Sequence, residues 1–321
     1  MSSALPATDH RPELLLVAPL MPFLLDQLRQ HYTLHDRIHV SDPAAFAAVA
    51  PRIRGVVANG EAKVPRELIA QLPALEVISV FGVGYDGIDV AAAHARGVPV
   101  TNTPAVLNDD VADLAIGLLI AAARRIPQAD RFVRANEWTH GPIALSRKVT
   151  GGRLGIVGMG RIGQAIAERA LAFKMSIAYT ARSPRAGIAY TYHPDPVALA
   201  AAVDFLIVIT PGGAGTKGLI DARVLSALGP EGYLINVARG SVVDQDALID
   251  ALRHGTIAGA GLDVFANEPN VPEALRALPN VVLTPHIGSG TKQTREAMGQ
   301  LTFDNLHAHF TGRPLLTPVD A

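Results

Sequence analysis

Short apolar runs alternate with helical patterns along the whole chain, and that alternation limits the folds open to it. Leu14–Ala18, Gly55–Ala58, Val77–Val80 and Val98–Thr101 read as buried strands, separated by alanine-rich helical segments such as Pro43–Ala50 and Pro65–Gln71. A second series runs through Leu154–Val157, Ile177–Thr180, Phe205–Ile209, Tyr233–Asn236, Gly259–Asp263 and Val281–Leu283. Strands alternating with helices predict parallel sheets with right-handed crossovers, hence an α/β chain. Its 321 residues suffice for two domains, and an aromatic content of only 5% suits helices packed on parallel strands. Asn108–Arg125 reads as a long helix, with Asn108 as its cap, Asp109, Asp110 and Asp113 at its positive end and Arg124 and Arg125 at its negative end. Its middle is apolar almost all round, so burial between domains or between subunits is expected. Gln293–Phe310 forms a closing helix. The expectation is two doubly wound parallel-sheet lobes with crossings near Asn102 and His286, residues 1–102 and 287–321 forming one lobe and 103–286 the other.

Composition removes several function classes. A formal net charge of −1 leaves no global field to recruit nucleic acid or an anionic membrane. With no cysteine, disulfides, thiolate catalysis and Cys-ligated zinc are excluded. The start, Met1–Glu13, is polar and carries no apolar signal core, and the longest apolar run, Leu114–Ala123, is about half a membrane span. A cytoplasmic chain is expected. His31, His35 and His39 recur every four residues, but the strand-like Tyr32–Leu34 among them and the lack of a carboxylate cluster argue against a metal face, and no metal is expected. His307 and His309 read as solvent-facing decoration of the closing helix.

Gly158-Met159-Gly160-Arg161-Ile162-Gly163 follows an apolar strand and opens a helix at Gln164–Phe173. Glycines there allow a tight turn, close approach of a pyrophosphate and tight helix–strand packing, while the helix N-terminus offers free N–H groups to phosphate. The next strand ends near Thr180, where an NAD-preferring site places an acid for the ribose 2′-hydroxyl. No Asp or Glu occurs between Glu168 and Asp195; Arg182, Ser183 and Arg185 stand there instead. Two cations and a hydroxyl suit a 2′-phosphate, which predicts NADPH/NADP+, with NADH/NAD+ weaker.

Three later strands end in residues suited to reducing a ketone. Arg239 follows Tyr233–Asn236, Glu268 follows Gly259–Asp263, and His286 follows Val281–Leu283. Open parallel sheets bind ligands at such strand ends. These blocks, with Val83-Gly84-Tyr85-Asp86, Asn102-Thr103-Pro104, Val111-Ala112-Asp113 and the glycine fingerprint, make the chain resemble the D-2-hydroxyacid dehydrogenases over nearly its whole length. Ala227-Leu228-Gly229-Pro230 and the ending Gly312–Val319 resemble the NADPH-preferring glyoxylate/hydroxypyruvate reductase and hydroxyphenylpyruvate reductase branch.

The resemblance implies a Rossmann cofactor domain at 103–286 and a flavodoxin-like substrate domain from 1–102 and 287–321, with substrate in the cleft between them. His286 would protonate the substrate carbonyl oxygen, Glu268 would orient His286 and favour its imidazolium, and Arg239 would grip the carboxylate through forked donors. Backbone N–H groups of Val83 and Gly84 would cradle that carboxylate, with Asn59 and Gly60 lining the same site. Gly158, Gly160, Arg161 and Ile162 would meet the pyrophosphate, Arg182, Ser183 and Arg185 the adenosine end, and Thr210 and Pro211 the adenine or ribose. Val237 and Asp263 would approach the nicotinamide, alongside His286 and Gly288. Relatives often carry threonine at the place of Asn108. Trp138 lies in a region that in relatives reaches toward a partner subunit, and Gly141 replaces a bulky side chain seen in some relatives, leaving more room for substrate. A homodimer through the cofactor domain is expected. The readings left open are a phosphoglycerate- or aryl-pyruvate-type dehydrogenase, a phosphite dehydrogenase and a non-catalytic dinucleotide sensor. A formate dehydrogenase would pair its histidine with glutamine, unlike Glu268.

Overall fold

Leucine, valine and isoleucine runs too short for helices, and buried on both faces, become the strands of two parallel sheets. The computed structural model describes residues 11–320, so most of the polar start, Met1–His10, lies outside the described residues. The first sheet contains β1 (Glu13–Leu16), β2 (Thr33–Asp36), β3 (Ile53–Asn59), β4 (Val77–Phe81) and β5 (Val100–Thr101). The second contains β6 (Arg153–Val157), β7 (Ser176–Thr180), β8 (Thr191–Tyr192), β9 (Phe205–Val208), β10 (Tyr233–Asn236), β11 (Gly259–Leu262) and β12 (Val281–Leu283). All ladders within both sheets are parallel.

The first sheet has the order β2-β1-β3-β4-β5, the flavodoxin-like arrangement. The second runs β12-β11-β10-β9-β6-β7-β8. From its far edge that is a Rossmann order with one added strand, and the direction of winding reverses between β6 and β9. The chain divides into two compact units, one ending at Leu107 and resuming at Lys292, the other Asn108–Thr291. These divisions fall a few residues beyond the crossings read from the sequence at Asn102 and His286. Thr103 is tied by its N–H to the Gly82 carbonyl of the first unit, whereas Ile287 and Gly288 are tied to Asp263 of the second.

In the first unit the closing helix, Lys292–Phe310, packs on β4 and on the helix Pro22–His31. His307 and His309 are not the solvent decoration expected of them. His307 stacks on Phe303, ring centroids 5.6 Å apart, and meets His31 edge-on at 5.8 Å. His309 Nε2 lies 3.3 Å from Glu76. The period of two could not reveal this, because both flanks of the helix are covered. The other histidine series disperses: His35 pairs with Glu13 at 2.7 Å, His31 packs on Phe303 and His39 on Phe46.

In the second unit the long helix runs Asn108–Ala123 and stops at Arg125, whose φ of 54° is left-handed. Asn108 does not act as the expected side-chain cap. It is the first helical residue, and among the described residues its side chain makes no hydrogen bond. The neighbouring acids are used differently, Asp109 and Asp113 both pairing with Arg169 of the helix Arg161–Ala172. Much of the apolar middle of the long helix is buried inside its own unit, against β10, β11 and that same helix, while Leu114 and Ile120 are half-buried and Gly117 is exposed. Further exposed apolar surface follows it, at Ile126, Val133, Trp138 and Leu145. Among the described residues no helix is long and apolar enough to cross a membrane.

Phe205 is fully buried on β9 and stacks on Tyr233 of β10 at 5.8 Å. Truncation would leave a cavity in a close-packed sheet face. Phe205→Ala should cost about 3–5 kcal/mol, measured by urea denaturation.

Candidate active site

Where β6 ends, the chain turns through Gly158 at a φ of +108°, a conformation that L side chains rarely adopt. An added Cβ there would press on the Ile209 carbonyl and the Thr210 N–H, both 2.9 Å away across the point where strand order reverses. Gly163, one helical turn on, sits so close to the Gly158 carbonyl that a methyl would overlap it. Gly160, by contrast, faces open space, with nothing within 4 Å of an ideal Cβ. It precedes the first residue of the helix Arg161–Ala172, and no side chain caps that end. The arrangement therefore leaves a helix N-terminus bare, with room above it and an exposed Arg161 beside it, and this fits a pyrophosphate. Ile162 is half-buried, as is Thr210, while Pro211 is exposed and its carbonyl accepts a 2.7 Å bond from Thr216.

The loop after β7 carries Arg182, Ser183 and Arg185, all exposed. Among the described residues neither guanidinium has an ion-pair partner. The loop is nonetheless held. The hydroxyl of buried Tyr179 accepts a 2.8 Å bond from the Arg185 N–H, and Tyr192 packs edge-on against Tyr179 while donating to the Ala181 carbonyl at 3.4 Å. Fixed backbone and unpaired cations are the features that suit a dianionic group.

Arg239, Glu268 and His286 are brought together at the ends of β10, β11 and β12. Asn236, almost fully buried, accepts from the Ala238 N–H at 3.1 Å and donates to the Arg239 carbonyl at 3.1 Å, locking the turn that bears Arg239. Gly240 follows, so tightly packed on the backbone of Phe265 and Ala266 that no Cβ fits. That contact sets the arginine loop directly against the glutamate loop. Glu268 Oε2 lies 2.7 Å from His286 Nδ1, and Oε1 accepts from the Phe265 N–H at 2.8 Å. Burial pushes the Glu268 carboxyl up, but its bonds to His286 and Phe265 and the nearby His286 and Arg239 charges prevail, holding it below its ordinary value of 4.5. The pair engages the His286 ring through Nδ1 and fixes its orientation.

His286 itself adopts a left-handed φ of 54°, costing about 1–2 kcal/mol for a residue with a Cβ. Asp263 holds it there. Its Oδ1 accepts from Thr284 Oγ1 at 2.6 Å and the Ile287 N–H at 2.8 Å, and its Oδ2 from the Gly288 N–H at 2.8 Å. Burial dominates these bonds and raises the Asp263 pKa above 3.8. Val237, just past β10, is buried, its N–H donating to the Val208 carbonyl at 3.2 Å. Sequence reading gave no task to Asn236, Thr284 or Tyr179. An asparagine closing a strand three residues before Arg239 was the visible sign of a side-chain-stapled turn, whereas Tyr179 left no sign beyond a β-favouring residue.

In the first unit Asn59 folds its own loop, Oδ1 accepting from the N–H groups of Glu61 and Ala62 at 3.1 and 2.9 Å. Gly60 backs onto Gly82, so the loops bearing Asn59–Gly60 and Val83–Gly84 are neighbours.

Residues 116–288 match the model of the D-isomer specific 2-hydroxyacid dehydrogenase NAD binding domain. The chain belongs to this family. It is 48% identical to a hydroxyphenylpyruvate reductase of Plectranthus scutellarioides, over 95% of this chain and 98% of that one. A 2-ketogluconate reductase of Gluconobacter oxydans is 45% identical over 97% of this chain and 99% of its own. The crystal structure of an NADPH-dependent glyoxylate/hydroxypyruvate reductase of Sinorhizobium meliloti, in complex with NADP and malonate, superposes with a TM-score of 0.91 at 50% identity, covering 96% of this chain and 97% of that one. The matched family span contains the glycine turn, the basic loop, Arg239, Glu268 and His286.

Two outcomes follow from this geometry. Gly240→Ala should displace the arginine loop and lower catalytic efficiency by about 100-fold or more, as expected for a misplacement of about 1 Å; kinetics of the folded variant, checked by circular dichroism, measure it. A carboxyl whose folded pKa is depressed adds stability above its unfolded value, lost as pH falls through the folded one. The stability advantage of the wild type over Glu268→Gln should therefore be present above pH 4.5 and shrink below it, as read by urea midpoints across pH.

Proposed function

We propose that this chain reduces small 2-ketoacids, glyoxylate and hydroxypyruvate among them, to D-2-hydroxyacids at the expense of NADPH. The observation that carries the reading is the His286–Glu268 pair at 2.7 Å, set beside the Arg239 loop at adjoining strand ends. When bound, NADPH supplies the hydride that adds to C2 of the ketoacid. His286 donates the proton that the carbonyl oxygen takes up, so the C=O becomes CH–OH. Glu268 keeps the imidazole oriented and charged until that transfer. Arg239 grips the carboxylate with planar, paired donors and draws electron density from the adjacent carbonyl, a task lysine performs poorly. The N–H groups of Val83 and Gly84 are donors to a substrate carboxylate, with Asn59 and Gly60 lining their own loop's pocket.

Gly158, Gly160, Arg161 and Ile162 hold the pyrophosphate, and Thr210 and Pro211 flank the adenine ribose. Arg182, Ser183 and Arg185 read the 2′-phosphate from a loop that Tyr179 keeps in place. Val237, Gly288 and the remaining acceptor capacity of Asp263 serve the nicotinamide end. The Asn108–Thr291 unit is thus the dinucleotide domain and the other the substrate domain. The chain works in the cytoplasm as a homodimer, burying the exposed Ile126, Val133, Trp138 and Leu145 of its dinucleotide domain.

Initial rates with NADPH and NADH separately, against glyoxylate, hydroxypyruvate, 4-hydroxyphenylpyruvate and 2-ketogluconate, test this reading. NADPH should be strongly preferred, and Arg182→Ala should raise its KM about tenfold, the loss of one charge-assisted contact, with NADH nearly unaffected. Equal use of both cofactors by the wild type would remove the 2′-phosphate assignment. No turnover with any ketoacid would remove the dehydrogenase reading itself.

A further inference from the structure

The last residues of the chain reach a loop of the proposed substrate site. After the closing helix, the chain turns back and lies along the edge of β5. Thr101 bridges Pro318 in antiparallel sense, and the Val319 N–H donates to the Val100 carbonyl at 2.8 Å. Fully buried Asn305, on the closing helix, fixes this strap. Its Oδ1 accepts from the N–H groups of Leu316 and Thr317 at 3.0 and 3.1 Å, and its Nδ2 donates to Thr317 Oγ1 at 2.8 Å. Thr317 passes the restraint on. Its hydroxyl donates to the Asn102 carbonyl at 2.7 Å, and its own carbonyl accepts from the Asn102 N–H at 3.3 Å. Asn102, only 9% exposed, then extends Nδ2 to the Val83 carbonyl at 2.9 Å.

That last bond matters because of peptide geometry. The Val83 carbonyl and the Gly84 N–H belong to one planar trans peptide, so they point in opposite directions. A donor clamped on the carbonyl fixes where the N–H aims. Among the described residues, the Val83 and Gly84 N–H groups have no hydrogen-bond partner, and glycine at 84 supplies no side chain to steady the turn. Left to itself, such a peptide can rotate and lose its direction.

We propose that Asn102, held by the C-terminal strap through Thr317 and Asn305, is a positioning residue that keeps the Gly84 N–H aimed as a donor to the substrate carboxylate. The inference rests on the reading of Val83–Gly84 as the carboxylate cradle. It assigns to the strap, remote in sequence from every proposed catalytic residue, a share in substrate affinity. It also separates two kinds of effect: loosening the strap weakens carboxylate binding and leaves the proton donor and the dinucleotide site untouched.

The test compares the wild-type protein with Thr317→Val, which keeps the shape of the side chain and removes its hydroxyl, Thr317→Ser, which restores the hydroxyl, and Asn102→Ala. Three quantities are read: KM and kcat for glyoxylate, the dissociation constant of unreactive oxalate by calorimetry on NADPH-saturated protein, and that of NADPH by fluorescence quenching. Thr317→Val should raise both the glyoxylate KM and the oxalate constant about 3- to 10-fold, and Asn102→Ala about tenfold, the loss of one directing hydrogen bond. Both variants should leave kcat and the NADPH constant within about twofold, since neither touches chemistry or cofactor, and Thr317→Ser should resemble the wild type. A lowered melting temperature with unchanged KM and oxalate affinity in Thr317→Val would show that the strap only stabilises the fold, and would overturn the proposal even if Asn102→Ala failed to fold. Failure of the underlying reading looks different, because the wild type itself would then neither turn over glyoxylate nor bind oxalate.

Discussion

Every candidate catalytic and dinucleotide-binding residue of the second unit depends on the parallel sense of its sheet. Parallel strands leave all their carboxyl ends along one edge, and each loop leaving that edge is delivered to its neighbours' loops. Gly158 follows β6, the basic loop follows β7, and Thr210 follows β9. Arg239, Glu268 and His286 follow β10, β11 and β12 in turn. The order of the strands is therefore the order in which these candidate residues stand along the edge, from the basic loop and glycine turn to His286. The reversal between β6 and β9 opens the crevice where Gly158 lies against Ile209 and Thr210, and only a residue without Cβ tolerates that approach.

At the far end of this edge, stability is exchanged for a fixed geometry. His286 sits in a left-handed conformation, and Asp263 is buried in a place that raises its pKa. Neither would persist alone. The carboxylate is costly to bury but accepts three hydrogen bonds, two from backbone groups just after His286, and these bonds impose the unusual turn. Glu268 differs in the sign of its shift: it too is partly desolvated, yet it faces an imidazole and lies near Arg239, so its charged form is favoured. Two acids on one loop are thus separated in role by their neighbours. The first orders backbone, and the second pairs with the imidazole of His286.

The architecture was legible because strand and helix periods are local properties. The apolar runs fixed every strand of the two series to within two residues or so, and the fingerprint located its turn. β2 and β8 escaped the two strand series: Thr33–Asp36 and Thr191–Tyr192 are short, polar edge strands without an apolar run. Arg239, Glu268 and His286 were legible because each stands just past a strand, the one place where position in a parallel sheet translates into position in a site. Their supports were not, since Asn236, Thr284 and Tyr179 act through single hydrogen bonds to backbone that no residue pattern encodes. The long helix was legible in part. Its continuous apolar character predicted burial, but periodicity cannot say against what. Much of that surface packs within one unit, while Gly117 on the helix and Ile126, Val133, Trp138 and Leu145 after it stay exposed.

The basic loop shows why the absence of an acid is informative only together with geometry. Two arginines on a floppy loop would be ordinary solvated surface, and their charge would cost nothing to leave unpaired. Here the Arg185 N–H is pinned to a buried tyrosine hydroxyl, and a second tyrosine braces the start of the loop. Ordering an exposed loop is entropically unfavourable, about 1–2 kcal/mol per residue. The two tyrosines meet that cost in the folded protein before any ligand arrives, so an anion docking there need not meet it again. Preorganisation of this kind is what separates a poised basic loop from a merely solvated one.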